Sequence, residues 1–313
     1  MDTVVLGRTG LEVSAAGLGC GGHSRLGQSY GATTEQSTDL VRHALELGIT
    51  YVDTAQAYGT EAIVGAAVSG HRDRVIVSSK ASPRGRDGVL LDAAGLRAAV
   101  EASLVALDTD RIDVYHLHGV NDDEYAHCVD ELVPEMLRLR DAGAIRFLAI
   151  SERFAADPGH VMLQRAVHDD CWDVMMVGFN LLNQSARARV FTLTRERDLA
   201  VEVMFAVRRA LSRVDELARV VQELVTQGYL DAGDIDLDEP LGFLVHDGGA
   251  SSVVEAAYRF VRHEPGCHVV LTGTGSVTHL EENVRSICAP ALPEDDLARL
   301  RNVFGRLDHL SGN

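Results

Sequence analysis

Eight short apolar runs, each followed by a helical pattern or a long loop, constrain this chain more than any other feature. The runs cover residues 16–19, 49–52, 74–79, 112–117, 145–150, 173–178, 201–205 and 268–272. Amphipathic periodicity predicts helices over 33–47, 61–69, 92–107, 130–142, 157–168, 185–197, 250–263 and 277–287, with a last helix over 294–307. Strands that alternate with helices must be joined by crossovers, which makes the sheet parallel. Eight such units in 313 residues predict an α/β fold of the closed (β/α)8 TIM barrel type. A short N-terminal hairpin precedes it, with residues 3–6 and 11–15 flanking Gly7-Arg8-Thr9-Gly10. No composition break divides the chain, so residues 1–313 are read as one domain.

Local signals support these boundaries. Thr33 and Gln36 fit a capping box, Asp92 fits an N-cap, and Gly48 follows the first helix as a stop. Gly17-Leu18-Gly19-Cys20-Gly21-Gly22 matches a GxGxxG spacing. An open dinucleotide-binding sheet would start a helix directly there, whereas about ten polar residues intervene. Glycines at Gly19 and Gly21, around Cys20, still permit close approach of a ligand. The segment 206–249 is long for one connection and is expected to act as a lid or clamp.

The formal net charge of −17 argues against nucleic acid or an anionic membrane surface as a partner. No apolar run approaches the ~20 residues needed to span a bilayer. The N-terminus lacks a basic region followed by an apolar stretch, so no signal peptide is expected and the reading is cytoplasmic. The five cysteines are scattered without a CxxC pair, as free thiols in a reducing compartment would be. His116 and His118 share one strand face but have no evident third ligand, so no metal is expected.

Asp53, Lys80 and His118 fall at the carboxyl ends of three consecutive strands, and Tyr58 lies in the loop after the first of them. In a parallel barrel all these ends open on one face, where active sites sit. The residue types are complementary. A phenol with a pKa near 10 is a weak acid at neutral pH, and a neighbouring ammonium stabilises its phenolate. Asp53 would hold Lys80 charged and in place, and His118 would donate to a carbonyl or help relay a proton. This is equipment for protonating a carbonyl oxygen, and since tyrosine supplies no hydride, reduction demands a cofactor. A barrel lyase or aldolase using Lys80 as a Schiff-base nucleophile is a different reading, which pairing with Asp53 disfavours. Tyr30, Tyr125 and His127 are placed in loops on the active face as candidate substrate-pocket residues.

Several stretches together resemble the aldo-keto reductases: Leu6-Gly7-Arg8-Thr9-Gly10-Leu11, Asp53-Thr54-Ala55 with Tyr58-Gly59 and Glu61, Ser79-Lys80, and Asp113-Val114-Tyr115-His116-Leu117-His118. Further along, Ala149-Ile150-Ser151, Phe179-Asn180-Leu181-Leu182, Thr272-Gly273-Thr274 and His279-Leu280-Glu281-Glu282-Asn283 continue the resemblance in the same order. The resemblance implies a (β/α)8 barrel and NADPH- or NADH-dependent reduction of a small-molecule aldehyde or ketone. The same residues in the oxidative direction would make a sugar or polyol dehydrogenase, and retention of the tetrad with slow turnover would make a nucleotide-binding regulatory protein. It also implies a catalytic tetrad of Asp53, Tyr58, Lys80 and His118, with Tyr58 as general acid and the nicotinamide flat on Phe205.

Two positions depart from the family pattern. Ser151-Glu152 stands where Ser-Asn is common, and Met176 where Gln is common, at the positions that hold the carboxamide. An ionised Glu152 accepts but cannot donate, and Met176 is a weak acceptor, so stacking on Phe205 and Ser151 are expected to carry more of the hold. For the phosphates, Thr274 and Ser276 offer hydroxyls, the helix after them offers free N–H groups, and Arg208 and Arg209 could reach the pyrophosphate. His279, Glu282 and Asn283 complete the implied cofactor set. NADP is expected on family grounds, with NAD open.

Overall fold

The computed structural model describes residues 1–312. Ten strands form two sheets: β1 (Thr3–Val5) and β2 (Glu12–Ser14) make an antiparallel hairpin, and β3 (Ala16–Gly19), β4 (Tyr51–Asp53), β5 (Ile76–Ala81), β6 (Ile112–Val120), β7 (Ile145–Glu152), β8 (Val174–Gly178), β9 (Ala200–Met204) and β10 (Val269–Thr272) close into a barrel. Every barrel pairing is parallel, including the closing pair β10–β3. The eight expected strands are these eight, with ends shifted by a few residues.

The hairpin acts as a plug. Leu6 and Val13 are fully buried against Tyr51, Val114, Ala149, Val174, Ala200 and Val269, an apolar layer at the amino end of the barrel. Arg8 in the hairpin loop donates to the carbonyls of Asp170 (2.8 Å) and Trp172 (2.5 Å), which fastens the plug to the segment entering β8. The larger core lies between the barrel's outer face and the helices, with Trp172, Phe179, Phe191 and Phe304 among its largest buried side chains. Burial of this kind contributes roughly 25 cal/mol per Å2 of apolar surface removed from water.

Several helix starts follow their caps. Thr33 Oγ1 accepts from the Gln36 N–H (3.2 Å) while Gln36 Oε1 accepts from the Thr33 N–H (2.9 Å), and Asp92 Oδ1 accepts from the Gly95 N–H (2.8 Å). Two expected helices are corrected. Instead of starting at 130, helical structure starts at Asp122, where Asn121 and Glu124 form a capping box. It continues through one wide turn, Cys128–Leu132, into Val133–Asp141. Pro134 lacks an N–H, and the wide turn before it absorbs the missing bond. The expected helix over 157–168 shortens to Val161–Ala166, because His160 before it adopts a left-handed φ of 61°. The 206–249 segment holds the helices Arg209–Ser212 and Val214–Thr226, then a turn-rich return. Among the described residues, no helix is long and apolar enough to cross a membrane.

Candidate active site

Strand alternation decides which side chains enter the barrel. Along β4, β5 and β6 the inward column carries Tyr51 and Asp53, Ser78 and Lys80, and Val114, His116 and His118; β9 adds Ala200 and Glu202. The register places Lys80 beside His116 and Ser78 beside Asp53. A polar layer therefore lies directly above the apolar one, and its upper edge is the carboxyl mouth.

Lys80 and Asp53 are ion-paired in full burial, and the ammonium also donates to the Thr54 carbonyl (2.9 Å). Ser78 Oγ donates to Asp53 Oδ1 (2.9 Å). Burial pushes Lys80 toward its neutral form, but Asp53, Tyr58 and Glu202 together pull further the other way, and its pKa lies above the ordinary value. Burial likewise raises Asp53, with Lys80 pulling it back. The second bond from Lys80 to a carbonyl favours the charged pair.

Tyr58 sits in the turn Gln56–Tyr58, stopped by Gly59 at a φ of 68°. Its ring stands over Lys80 Nζ at 5.2 Å from the centroid, and its Oη lies 3.3 Å from His118 Nε2. The four tetrad residues are thus brought together at one end of the barrel. Gly21 packs flat under the Tyr58 ring, and a Cβ there would overlap it. Lys80 does pull the phenol's pKa down as the sequence suggested. Burial pushes harder, however, and the net direction is upward. His118 is pushed down to about 3, by burial first and then by Lys80 and Arg153, so its imidazole is neutral at physiological pH.

The inferred cofactor residues are dispersed around this centre. Ser151 is buried, and its Oγ accepts from the Gly119 N–H (2.8 Å) beside the mouth. Glu152 is turned away: its oxygens take the Gly178 N–H (2.7 Å) and His160 Nδ1 (2.9 and 3.0 Å). Met176 is buried next to Ser151 in register. The Cys20 N–H donates to the Asp53 carbonyl (2.7 Å), and burial raises its thiol. Gly19 faces Gly273 so closely that a Cβ on Gly273 would lie 2.9 Å from the Gly19 carbonyl oxygen.

Phe205 follows β9 with a φ of 66°, a conformation that costs a bulky residue about 1–3 kcal/mol and so marks a constrained position. Its ring lies near-parallel to Phe154 (6.2 Å, 18°), and the Arg208 guanidinium sits 4.0 Å from its centroid. At the last turn, Thr274 Oγ1 accepts from the Ser276 N–H (3.1 Å) and Ser276 Oγ from the His279 N–H (3.4 Å), capping the helix Val277–Ile287. Asn283 donates to Thr272 Oγ1 (2.9 Å), while His279 and Glu282 are exposed.

The three substrate-pocket candidates do not gather over the tetrad. Tyr125 belongs to the helix Asp122–His127 and is buried, its hydroxyl bonded to Asp169 and receiving Trp172 Nε1–H (3.1 Å). This corrects its placement in a loop. His127, in the same helix, bonds through Nε2 to the Leu91 carbonyl (2.7 Å) and ties down the loop after β5. Tyr30 is exposed on a groove of about 790 Å3 between the helix Thr34–Glu46 and Gly275–Val277.

Sequence reading missed Glu202, Ser78 and the structural partner His160. Glu202 carried a signal: a lone acid at the centre of the apolar run Ala200–Met204, in the inward-facing phase. Among the described residues no group of three His, Cys, Asp or Glu side chains converges as a metal site.

The barrel thus carries a phenol, an imidazole and a buried ammonium–carboxylate pair together at its carboxyl mouth. A match to the Aldo/keto reductase family spans residues 18–304. The chain belongs to that family and is an NAD(P)H-dependent oxidoreductase. It is 28% identical over 305 residues to the uncharacterized oxidoreductase YqkF of Bacillus subtilis (strain 168), covering 95% of this chain and 94% of that protein. Among solved structures it is similar to the holo form of aldo-keto reductase AKR11C1 from Bacillus halodurans (TM-score 0.74, 25% identity, 96% of each chain). An aldo/keto reductase from Klebsiella pneumoniae in complex with NADP and acetate shares the fold (TM-score 0.67, 23% identity, 98% of this chain and 97% of that one).

Proposed function

We propose that this protein reduces the carbonyl group of a small aldehyde or ketone to an alcohol, with Tyr58 delivering the proton. The observation that carries the reading is the placement of Tyr58 Oη 3.3 Å from a neutral His118 and above the Lys80–Asp53 pair. Burial keeps the phenol protonated at neutral pH, so it holds its proton until the carbonyl oxygen gains charge. The ammonium of Lys80 then stabilises the phenolate left behind. His118, neutral, orients the carbonyl oxygen by hydrogen bonding and does not act as an imidazolium acid. A Schiff-base role for Lys80 is disfavoured, since it would need a free neutral amine, and this one is fully buried and ion-paired.

The residues fit a nicotinamide dinucleotide. Arg208 has a buried Nη1 with no protein partner, suited to an anionic group, and Phe205 offers a flat ring. When bound, the reduced nicotinamide supplies the hydride. Phe205 and Ser151 would hold the nicotinamide end and Arg208 the phosphates; Glu152, with both oxygens engaged, is assigned to the fold. NADP is the proposed preference, supported by the NADP bound in the Klebsiella pneumoniae structure; Arg209 is ion-paired to Glu216 (2.8 Å) and is not assigned to the cofactor. The test is Tyr58→Phe. Turnover of NADPH with a panel of aldehydes should fall about 100- to 10,000-fold while the Kd for NADPH, read by nicotinamide fluorescence, stays the same. Undiminished turnover would remove Tyr58 from the chemistry, and a Kd ratio favouring NADH would reverse the cofactor preference.

A further inference from the structure

We propose that Glu202 and His116 form a one-proton dyad in the barrel core that positions the Asp53–Lys80 pair and sets the charge beneath Tyr58. Its effect on turnover rests on the reading of Tyr58 as the acid; the dyad itself does not.

The hydrogen-bond directions define it. Both side chains are fully buried. Tyr51 donates its hydroxyl to Glu202 Oε1. Ser78 spends its only proton on Asp53 Oδ1 (2.9 Å), so its contact with His116 Nδ1 (3.3 Å) requires that nitrogen to be the donor. A neutral His116 therefore has a bare Nε2. That nitrogen lies 3.6 Å from Glu202 Oε1, and both His116 Nε2 and Glu202 Oε2 lack a hydrogen-bond partner. A bare imidazole nitrogen and a carboxylate cannot satisfy each other in full burial. One proton between them can, whether it sits on the carboxyl or on the ring, and in either form the pair is neutral overall.

The surrounding charges hold the count at one. A second proton would make the pair cationic beside Lys80, and burial first and then the Lys80 charge oppose protonation of His116. Loss of the proton would make it anionic beside Asp53, which burial and the Asp53 charge both resist; together they lift the Glu202 carboxyl to about 8, while Tyr51 and Lys80 pull it down. Tyr51 and Asp53 face the dyad from β4, Lys80 from β5 and His118 from β6, and Cys20 faces Asp53 from the end of β3. The chain Glu202–His116–Ser78–Asp53–Lys80 thus ends at the ammonium under the Tyr58 ring. When the dyad loses its proton, the added negative charge opposes phenolate formation at Tyr58 and weakens it as an acid.

The experiment uses two readouts. In protein labelled with 15N-histidine, with His116 signals assigned through His116→Gln, Nδ1 should be protonated, and the ring should report a transition near pH 8 that disappears in Glu202→Gln. If Glu202→Gln fails to fold, Tyr51→Phe removes only the hydroxyl that favours the carboxylate and should move the transition to higher pH. His116 shifts that are constant from pH 6 to 9, or unchanged in the Glu202 and Tyr51 variants, overturn the dyad. In kinetics, wild-type kcat/KM should fall through that midpoint to a lower plateau, and Glu202→Gln should lack this step. An identical profile in the variant overturns the coupling to Tyr58. Absence of wild-type turnover on any carbonyl overturns the proposed function instead, and leaves the NMR test decisive for the dyad.

Discussion

The neutral state of His118 makes a quantitative prediction about stability. Its pKa is about 3 in the folded protein against an ordinary 6.5. Between these values the unfolded chain binds a proton that the folded chain refuses, so stability present above pH 6.5 is lost as pH falls toward 3. At pH 5 the linkage relation gives about 2 kcal/mol relative to pH 7.5. The imidazole is half-buried at the barrel mouth, and solvent screening trims this to about 1–2 kcal/mol. His118→Asn keeps a polar side chain and removes the titration. Urea unfolding of both proteins at pH 7.5, 6 and 5 isolates the effect, because His116, also depressed, is common to both and cancels in the difference. The wild type should lose about 1–2 kcal/mol more than the variant on going from pH 7.5 to pH 5. A difference that is flat with pH, or of opposite sign, would refute the claim that Lys80 and burial hold this imidazole neutral.

Three further substitutions probe the site's supports. Gly21→Ala places a methyl group into the Tyr58 ring, so kcat should drop about tenfold or more through misplacement of the phenol, with the thermal transition shifted by only a few degrees; unchanged kcat would mean that the ring is not held there. Glu152→Ala leaves His160 Nδ1 and the Gly178 N–H unpaired and should cost about 2–3 kcal/mol by urea unfolding, while the Kd for NADPH changes less than about threefold; a large loss of cofactor affinity would return Glu152 to the cofactor site. Asp113→Ala strips the partner from Arg72 (2.7 Å), Arg146 (2.8 Å) and the Val77 N–H (3.0 Å) and should destabilise by about 3 kcal/mol or more; a loss under about 1 kcal/mol would show those groups finding water instead.

What could be read in advance depended on range along the chain. The eight strands, the Thr33–Gln36 capping box and the Asp92 cap are local signals, and each appears where expected. The tetrad could be placed because strand ends in a closed parallel barrel share one face, so three positions in sequence become neighbours without further information. Tyr125 and His127 were misplaced although a local signal existed: Asn121 and Glu124 start a helix before the apolar periodicity becomes visible. The partners of Glu152 were not legible, since they depend on His160 adopting a left-handed turn and on Gly178 lying across the adjacent strand. Nor could the sequence weigh burial against Lys80 at Tyr58, because desolvation depends on the packing of Gly21 and the barrel wall around the phenol.

The polar layer explains why the plug beneath it is so apolar. Asp53, Lys80, His116 and Glu202 all lie inside one barrel, and their mutual attractions strengthen as water is excluded. The hairpin closes the amino end with Leu6 and Val13 against Tyr51, whose ring belongs to the apolar layer while its hydroxyl reaches Glu202 in the polar one. Tyr51 therefore joins two functions that look separate in sequence: sealing the floor of the barrel and supplying the first donor of the network that ends beneath Tyr58. The same exclusion of water that makes an unpaired charge intolerable here is what would let Glu202 act on Tyr58 through the four side chains between them, as proposed above.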